Sequence, residues 1–314
     1  MNRTIFSLFF SLISILLVAQ ERDSCSYNSS RRRKEMTKEE LRKIRAERRD
    51  SIRTRLKEQI DNIGPDYNAD SVRRELERGS YFTLFKDNYF VGGIPVGQKV
   101  KAENSNVKFQ ISVSHRLTKS ILPFDTYLFL QFSQKTIWNV LEESLPMYDL
   151  NFNPGIGIGH LIIHQNRYIG KTFLMLEHES NGKDSLASRS WNKISLGTYL
   201  MINKNFDVQA KFWIPIIDGG NNKDILKYNG IGHIGVNYKT ENQRLQAGLL
   251  TTWRTNSFSF NTQWEFSYKL NSKVNQFLFI QYYNGYGEHL LDYNKFKSVV
   301  RLGFVIKPRD FSIF

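Results

Sequence analysis

The sequence predicts an all-β protein: a twelve-stranded antiparallel transmembrane β-barrel preceded by a signal peptide and a basic, partly helical segment. Three observations predict it. Aromatic residues make up 14% of the 314 residues while the hydrophobic share is only 40%, a balance that suits strands with one face in lipid and the other toward a wet lumen. From about Phe82 onward, apolar and polar residues alternate with period two, the spacing of a strand and not of a helix. After the first twenty residues no apolar run is long enough for a membrane-spanning helix. The same composition excludes a disordered chain.

The N-terminus reads as an export signal. Asn2 and Arg3 precede an apolar stretch from Ile5 to Val18, too short to span a bilayer and the right length for a secretory core, with cleavage expected after Ala19. Cys25 is the only cysteine, so the exported chain forms no internal disulfide. Glu21, Arg22 and Asp23 separate it from the apolar core, which argues against a lipid anchor.

The formal charge of +14 is unevenly placed. Between Arg31 and Ile60 there are 13 Lys/Arg and 6 Asp/Glu, so this stretch holds +7, half of the excess. Thr37 to Glu40 reads as a capping box, and Leu41, Ile44, Ile52, Leu56 and Ile60 follow at helical spacing, with Arg48 interrupting. This predicts a helix near 37–60 within a basic extension, 20–80, ahead of a barrel domain, 81–314. Such a helix suits either an anionic membrane surface or a solvated spacer, and in an exported chain its charge gives little support to nucleic acid as a partner.

Twelve strands are expected near Tyr89–Val91, Val107–Leu117, Thr126–Val140, Gly155–His164, Lys171–Ser180 and Ser190–Met201, then Phe206–Pro215, Gly230–Tyr238, Arg244–Trp253, Phe258–Tyr268, Gln276–Tyr283 and Ser298–Lys307. The clearest alternation runs Phe258, Phe260, Thr262, Trp264, Phe266, Tyr268 against Ser259, Asn261, Gln263, Glu265, Ser267. Turn-rich clusters such as Asp218 to Asp224 fill the gaps. The last strand continues into Phe311 and Phe314, a suitable signal for barrel insertion.

Among six histidines, His160 and His164 have the i, i+4 spacing of metal ligands on a helix, but Gly155, Gly157 and Gly159 point to a strand. His115, His233 and His289 fall beside turns or on a polar strand face. His178 differs, because it precedes Ser180 by two residues in Phe173-Leu-Met-Leu-Glu-His-Glu-Ser-Asn-Gly182. On a strand both side chains share one face, about 7 Å apart along it. Leu174 and Leu176 lie on the same face and Glu177 and Glu179 on the other, so the pair is expected at a lipid-facing rim, where polar groups are costly. On the next strand Asn192 is in phase with Ile194, Leu196 and Leu200, and a hairpin would bring it opposite Ser180 or His178. Nucleophile, base and orienting group would then sit on adjacent strands, although a cluster of ordinary hydrogen bonds fits the spacing equally well.

The run Glu177-His-Glu-Ser-Asn-Gly182 with Ser188-Arg-Ser-Trp-Asn192 resembles the active-site signature of the outer-membrane phospholipase A family of Gram-negative bacteria. Ser133-Gln-Lys135 with Trp138, and Tyr286-Gly-Glu288 through Leu291-Asp-Tyr-Asn294, agree with it. The resemblance spans roughly Phe82 to Phe311. It implies an outer-membrane enzyme that hydrolyses acyl esters of membrane phospholipids, with Ser180 as nucleophile, His178 as base and Asn192 holding the histidine. It also implies a calcium cofactor (Ca2+) and a homodimer as the active form. By matching position, the Ser188 hydroxyl and Lys183 carbonyl are calcium ligands, Gly182 N–H is an oxyanion donor, Ser144 is the calcium contact from the partner subunit, and Gln134 lies in the dimer interface. Lys183 stands where the family often has arginine, and the stretch from Trp138 to Ser144 is shorter than the family pattern. The alternatives are a non-catalytic porin-like barrel and a deacylase acting on another outer-membrane lipid.

Overall fold

The computed structural model describes residues 38–61, 64, 68–78, 81–216, 220–255, 259–271 and 274–308. The expected signal peptide 1–19, Cys25, Arg31, Thr37, Phe258, Phe311 and Phe314 lie outside the described residues. Residues 1–62 and 63–314 form two separate compact units. In the first, helix α1 (Lys38–Asp61) matches the predicted position. It carries Glu39 and Glu40 in its first turn, where negative charge complements the helix dipole. Ile44 and Ile52 stay exposed, as expected of a narrow apolar stripe in a strongly charged helix.

The second unit is built from helix α2 (Ala69–Arg78) and strands β1 (Phe82–Leu84), β2 (Asn88–Pro95), β3 (Asn106–Arg116), β4 (Thr126–Trp138), β5 (Met147–His164), β6 (Arg167–Ser180), β7 (Ser190–Met201), β8 (Phe206–Ile216), β9 (Gly232–Lys239), β10 (Leu245–Trp253), β11 (Phe260–Lys269), β12 (Gln276–Gly285) and β13 (Lys297–Ile306), with a one-turn helix α3 (Leu226–Asn229). Each of β2 to β13 pairs antiparallel with its neighbours in sequence, and β13 returns to β2, closing twelve strands into a barrel. The short β1 lies beside Val113–His115 of β3, continuing the line of β2 after a break at 85–87.

The twelve barrel strands sit where the alternation predicts them, except that β2 runs on to Pro95, past the expected Val91, and that β5 starts early. That strand begins at Met147, ahead of the expected Gly155, because Asp149, Asn151 and Asn153 are inward-facing members of an extended strand and Pro154 looks like a stop. Pro154 lacks an N–H. Beside it, Asn153 Nδ2 donates to the carbonyl of His178 at 2.9 Å.

The two faces of the wall separate as the period requires. Phe90, Leu130, Ile156, Leu176, Trp264, Phe266 and Leu302 are exposed on the outer surface, where lipid covers them. Inward-facing polar groups pair with one another. Lys211 Nζ meets Glu177 at 2.6 Å, Lys239 Nζ meets Asp207 at 2.7 Å and Lys307 Nζ meets Asp87 at 2.7 Å. The interior toward the short turns is apolar, built on Phe85, Tyr127, Phe129, Phe173, Met175 and Tyr199. Gly157 and Gly159 make room there, since a Cβ would fall within 3 Å of the Phe129 and Tyr127 rings. The α2 segment covers this end: Ala69 N donates to Asn166 O at 3.0 Å, Val72 packs on the apolar cluster and Arg73 reaches Asp125 at 3.7 Å.

At the opposite end, the connection between β12 and β13 folds into the barrel mouth. Glu288, His289 and Leu290 are buried there, and Arg301 and Lys108 converge on Glu288 Oε1 at 2.6 and 3.2 Å. Burial by itself would raise the Glu288 carboxyl, but the charges of Arg301 and Lys108 outweigh it and hold the group well below the usual carboxylate range. The stability it contributes is therefore present above the ordinary carboxylate pKa and is lost only as pH falls through that depressed value. Glu288→Ala would leave two buried cations without a counter-charge, at a cost of about 3 to 5 kcal/mol. The expected outcome is a clearly lower urea midpoint for the heat-modifiable, folded band on gels; an unchanged midpoint would show the pairing to be energetically neutral.

Candidate active site

Strands β6 and β7 carry the residues singled out by the sequence, and their register decides which of them meet. His178 pairs directly with Asn192, and Ser180 with Ser190. His178 Nδ1 lies 2.8 Å from Asn192 Oδ1. Because that oxygen only accepts, Nδ1 carries the proton and Nε2 is left as the acceptor. His178, Ser180 and Asn192 are all half-buried. They share the outer face with the exposed Leu174, Leu176 and Leu196, and a shallow outer groove of about 770 Å3 opens beside His178 and Asn192, lined also by Leu130, Phe132, Ile156 and Leu176.

The inner face of the same two strands is braced by charge. Glu179 Oε2 accepts from Lys193 Nζ at 2.7 Å and from Trp191 Nε1 at 3.1 Å, while Glu177 accepts from Ser195 and pairs with Lys211. Side chains flanking His178 are thus fixed from within.

The chain leaves Ser180 through the loop 181–189. Asn181 organises it: Nδ2 donates to Ala187 O at 2.9 Å, and Oδ1 accepts from Arg189 N at 2.9 Å and Lys183 N at 3.4 Å. Gly182 follows with φ of +62°, a left-handed conformation that a side chain would strain. Lys183 Nζ donates to Tyr148 O at 2.8 Å. The Ser188 carbonyl is held by Arg189 Nη1 at 2.8 Å, so the hydroxyl is the group Ser188 has to offer. Lys183 and Ser188 therefore share one loop with Gly182, whereas Ser144 is exposed on the separate connection 139–146, with φ of +63°.

Gln134 lies on β4, paired on one side with Ile111 and on the other with Phe152, which in turn pairs with Ser180. It is half-buried and donates to Thr136 Oγ1 at 3.4 Å. His160 and His164 occupy one strand, β5, four residues and about 13 Å apart, too far to share an ion.

Asp149 is a junction that the sequence did not reveal. Wholly buried, its carboxylate accepts from His289 Nδ1 at 3.0 Å, Leu291 N at 2.9 Å, Asn151 Nδ2 at 2.7 Å and Asn181 Nδ2 at 3.4 Å. It joins the mouth-filling connection to the loop after Ser180. Asp292 stands beside it, accepting from Tyr148 OH at 2.9 Å; burial would raise this carboxyl, but the Lys295 and Tyr148 hydrogen bonds hold it below its ordinary value.

Comparison with known proteins decides the family. The sequence model of the family described as Phospholipase A1 matches residues 94–306, more than half of the chain. The chain belongs to the phospholipase A1 family. Phospholipase A1 of Escherichia coli (strain K12) is 32% identical over 212 residues, covering 65% of this chain and 71% of that protein. Phospholipase A1 of Klebsiella pneumoniae is 30% identical over 211 residues, with the same coverage. Among solved structures, the Salmonella typhi outer membrane phospholipase (OMPLA) dimer with bound calcium is 25% identical, with a TM-score of 0.64 over 74% of this chain and 92% of that one. Outer membrane phospholipase A from Escherichia coli shares the fold at 24% identity and a TM-score of 0.64, over 71% and 93% of the two chains. Phospholipase A1 family membership makes the protein an ester hydrolase of the bacterial outer membrane, in keeping with its closed, lipid-faced barrel.

Within this phospholipase A1 family site, the donor set fits the chemistry of calcium. Calcium takes hard oxygen ligands, and Ser188 and Lys183 offer a hydroxyl and a carbonyl. No group of three or more His, Cys, Asp or Glu suited to a metal occurs among the described residues.

Proposed function

We propose that the protein hydrolyses acyl esters of glycerophospholipids with Ser180 as nucleophile, His178 as general base and Asn192 as the residue that orients the imidazole. The observation that carries this reading is the 2.8 Å contact between His178 Nδ1 and Asn192 Oδ1 on the outer face that Ser180 shares. With Nδ1 protonated, Nε2 takes the Ser180 proton as Oγ adds to the ester carbonyl, then returns it to the leaving alkoxide; a water repeats the sequence to release the fatty acid. The Gly182 N–H is the oxyanion donor. Ser188 and Lys183 would hold calcium, with Ser144 contributed across a homodimer whose interface includes Gln134; when bound, the ion supplies positive charge beside the oxyanion. The outward position suits a substrate arriving from the lipid leaflet, and the ion-paired lumen gives no support to a porin. In this reading the chain is divided as a signal peptide 1–19, a basic extension 20–80 and a barrel domain 81–314.

Asn192→Ala tests the orienting role. Losing one hydrogen bond to a partly buried partner costs about 1 to 3 kcal/mol, so turnover should fall roughly five- to two-hundredfold. Asn192→Asp should give a folded, partly active enzyme, since its negative charge steadies the imidazolium while adding desolvation cost. Steady-state rates on phospholipid micelles provide the check. An Asn192→Ala variant as inactive as one lacking Ser180 would remove the purely orienting assignment.

A further inference from the structure

The pairing of β7 with β8 runs as far as Asn192 opposite Ile216. Ser190 lies two residues beyond it, and its backbone meets the side chain of Asn222. Asn222 Nδ2 donates to Ser190 O at 2.9 Å, and Ser190 N donates to Asn222 Oδ1 at 3.3 Å. The amide thus stands in for the peptide group of an adjoining strand, supplying one acceptor and one donor. Asn222 is fully buried and rigidly seated: Ile225 N donates to its carbonyl at 3.0 Å, and Ile225 packs with Trp191, Leu290 and Tyr293. Tyr293 OH donates to Asp224 at 2.5 Å, fixing the same connection from the barrel mouth. The neighbouring Asn221 Nδ2 donates to Ser185 O at 2.7 Å, inside the loop that carries Lys183 and Ser188.

We propose that Asn222 is a positioning residue for the hydrolytic reaction: its amide holds the start of β7 through the Ser190 backbone, and so keeps Asn192 on His178 and the loop 181–189 in register with Ser180. The inference rests on the functional reading above. Without the clamp, two half-buried backbone groups lose their partners, and β7 frays at the point where Asn192 must stay 2.8 Å from the imidazole.

The experiment compares Asn222→Ala and Asn222→Asp with the unaltered enzyme and with Ser180→Ala, following hydrolysis in calcium-containing phospholipid micelles from pH 4 to 9 and the heat-modifiable band for folding. Asn222→Ala is expected to lose about tenfold or more in kcat, with KM little changed, a higher calcium requirement and the folded band retained. Asn222→Asp is the informative variant. As the acid it keeps both an acceptor and a donor, and as the carboxylate it loses the donor and repels Ser190 O. Its activity relative to the unaltered enzyme should therefore rise as pH falls. Unchanged kcat and calcium response in Asn222→Ala would overturn the proposal. So would an Asn222→Asp variant that loses activity and folded band together at every pH, because Asn222 would then be only structural. Retained hydrolysis in Ser180→Ala would instead overturn the catalytic reading on which the proposal rests.

Discussion

Ser180→Ala should abolish phospholipid hydrolysis, by on the order of 10^4-fold or more, while leaving the barrel folded. The loss is large because, in the proposed reaction, Ser180 is the group that accepts the acyl chain, and the remaining oxyanion donors would assist only a water attack. The fold is spared because Ser180 sits at the outer end of β6, half-buried, where a hydroxyl adds little to a wall held by backbone pairing with Phe152 and Ser190. Release of fatty acid from mixed micelles measures the first part, and heat-modifiable gel mobility the second. Retained hydrolysis by a folded variant would rule out Ser180 as nucleophile.

Removing calcium with excess chelator should eliminate turnover almost as completely. In the proposed reaction the oxyanion would form beside lipid, where an uncompensated charge is expensive. The nearest cations on the loop are committed elsewhere, Lys183 to Tyr148 O and Arg189 to Leu186 O and Ser188 O. With neutral oxygens as ligands, half-activation is expected in roughly the 10^-4 to 10^-3 M range. Ser188→Ala should move that midpoint upward, and crosslinking in detergent with a substrate analogue should trap a dimer only when calcium is present. Full turnover in chelator, or by a species that remains monomeric, would discard the calcium-dependent dimer.

Neither expectation is drawn from the basic stretch 31–60, which holds +7 of the formal +14. That charge gave no route to the site, because a run of Lys and Arg stands out in sequence more than a rim of uncharged Ser, His and Asn side chains does.

What the sequence determined by itself was whatever depends on the period of two. Alternation assigns each strand residue to lipid or lumen without reference to any partner, so the barrel class, the outward placement of His178 and Ser180, and the inward placement of Glu177 and Glu179 followed from local spacing. Strand pairing was decided by the tertiary structure. Asn192 could have met Ser180 or His178, and the closure of loop 181–189 around Asn181 selected His178. The start of β5 was hidden because inward Asp149, Asn151 and Asn153 are polar in a segment interrupted by Pro154. The junction of Asp149 with His289 spans 140 residues, and the Asn222 clamp arises from a segment that reads only as turn. Such contacts exist once a closed sheet brings distant connections to one rim, and each is a single hydrogen-bonding side chain with no periodic signature to announce it.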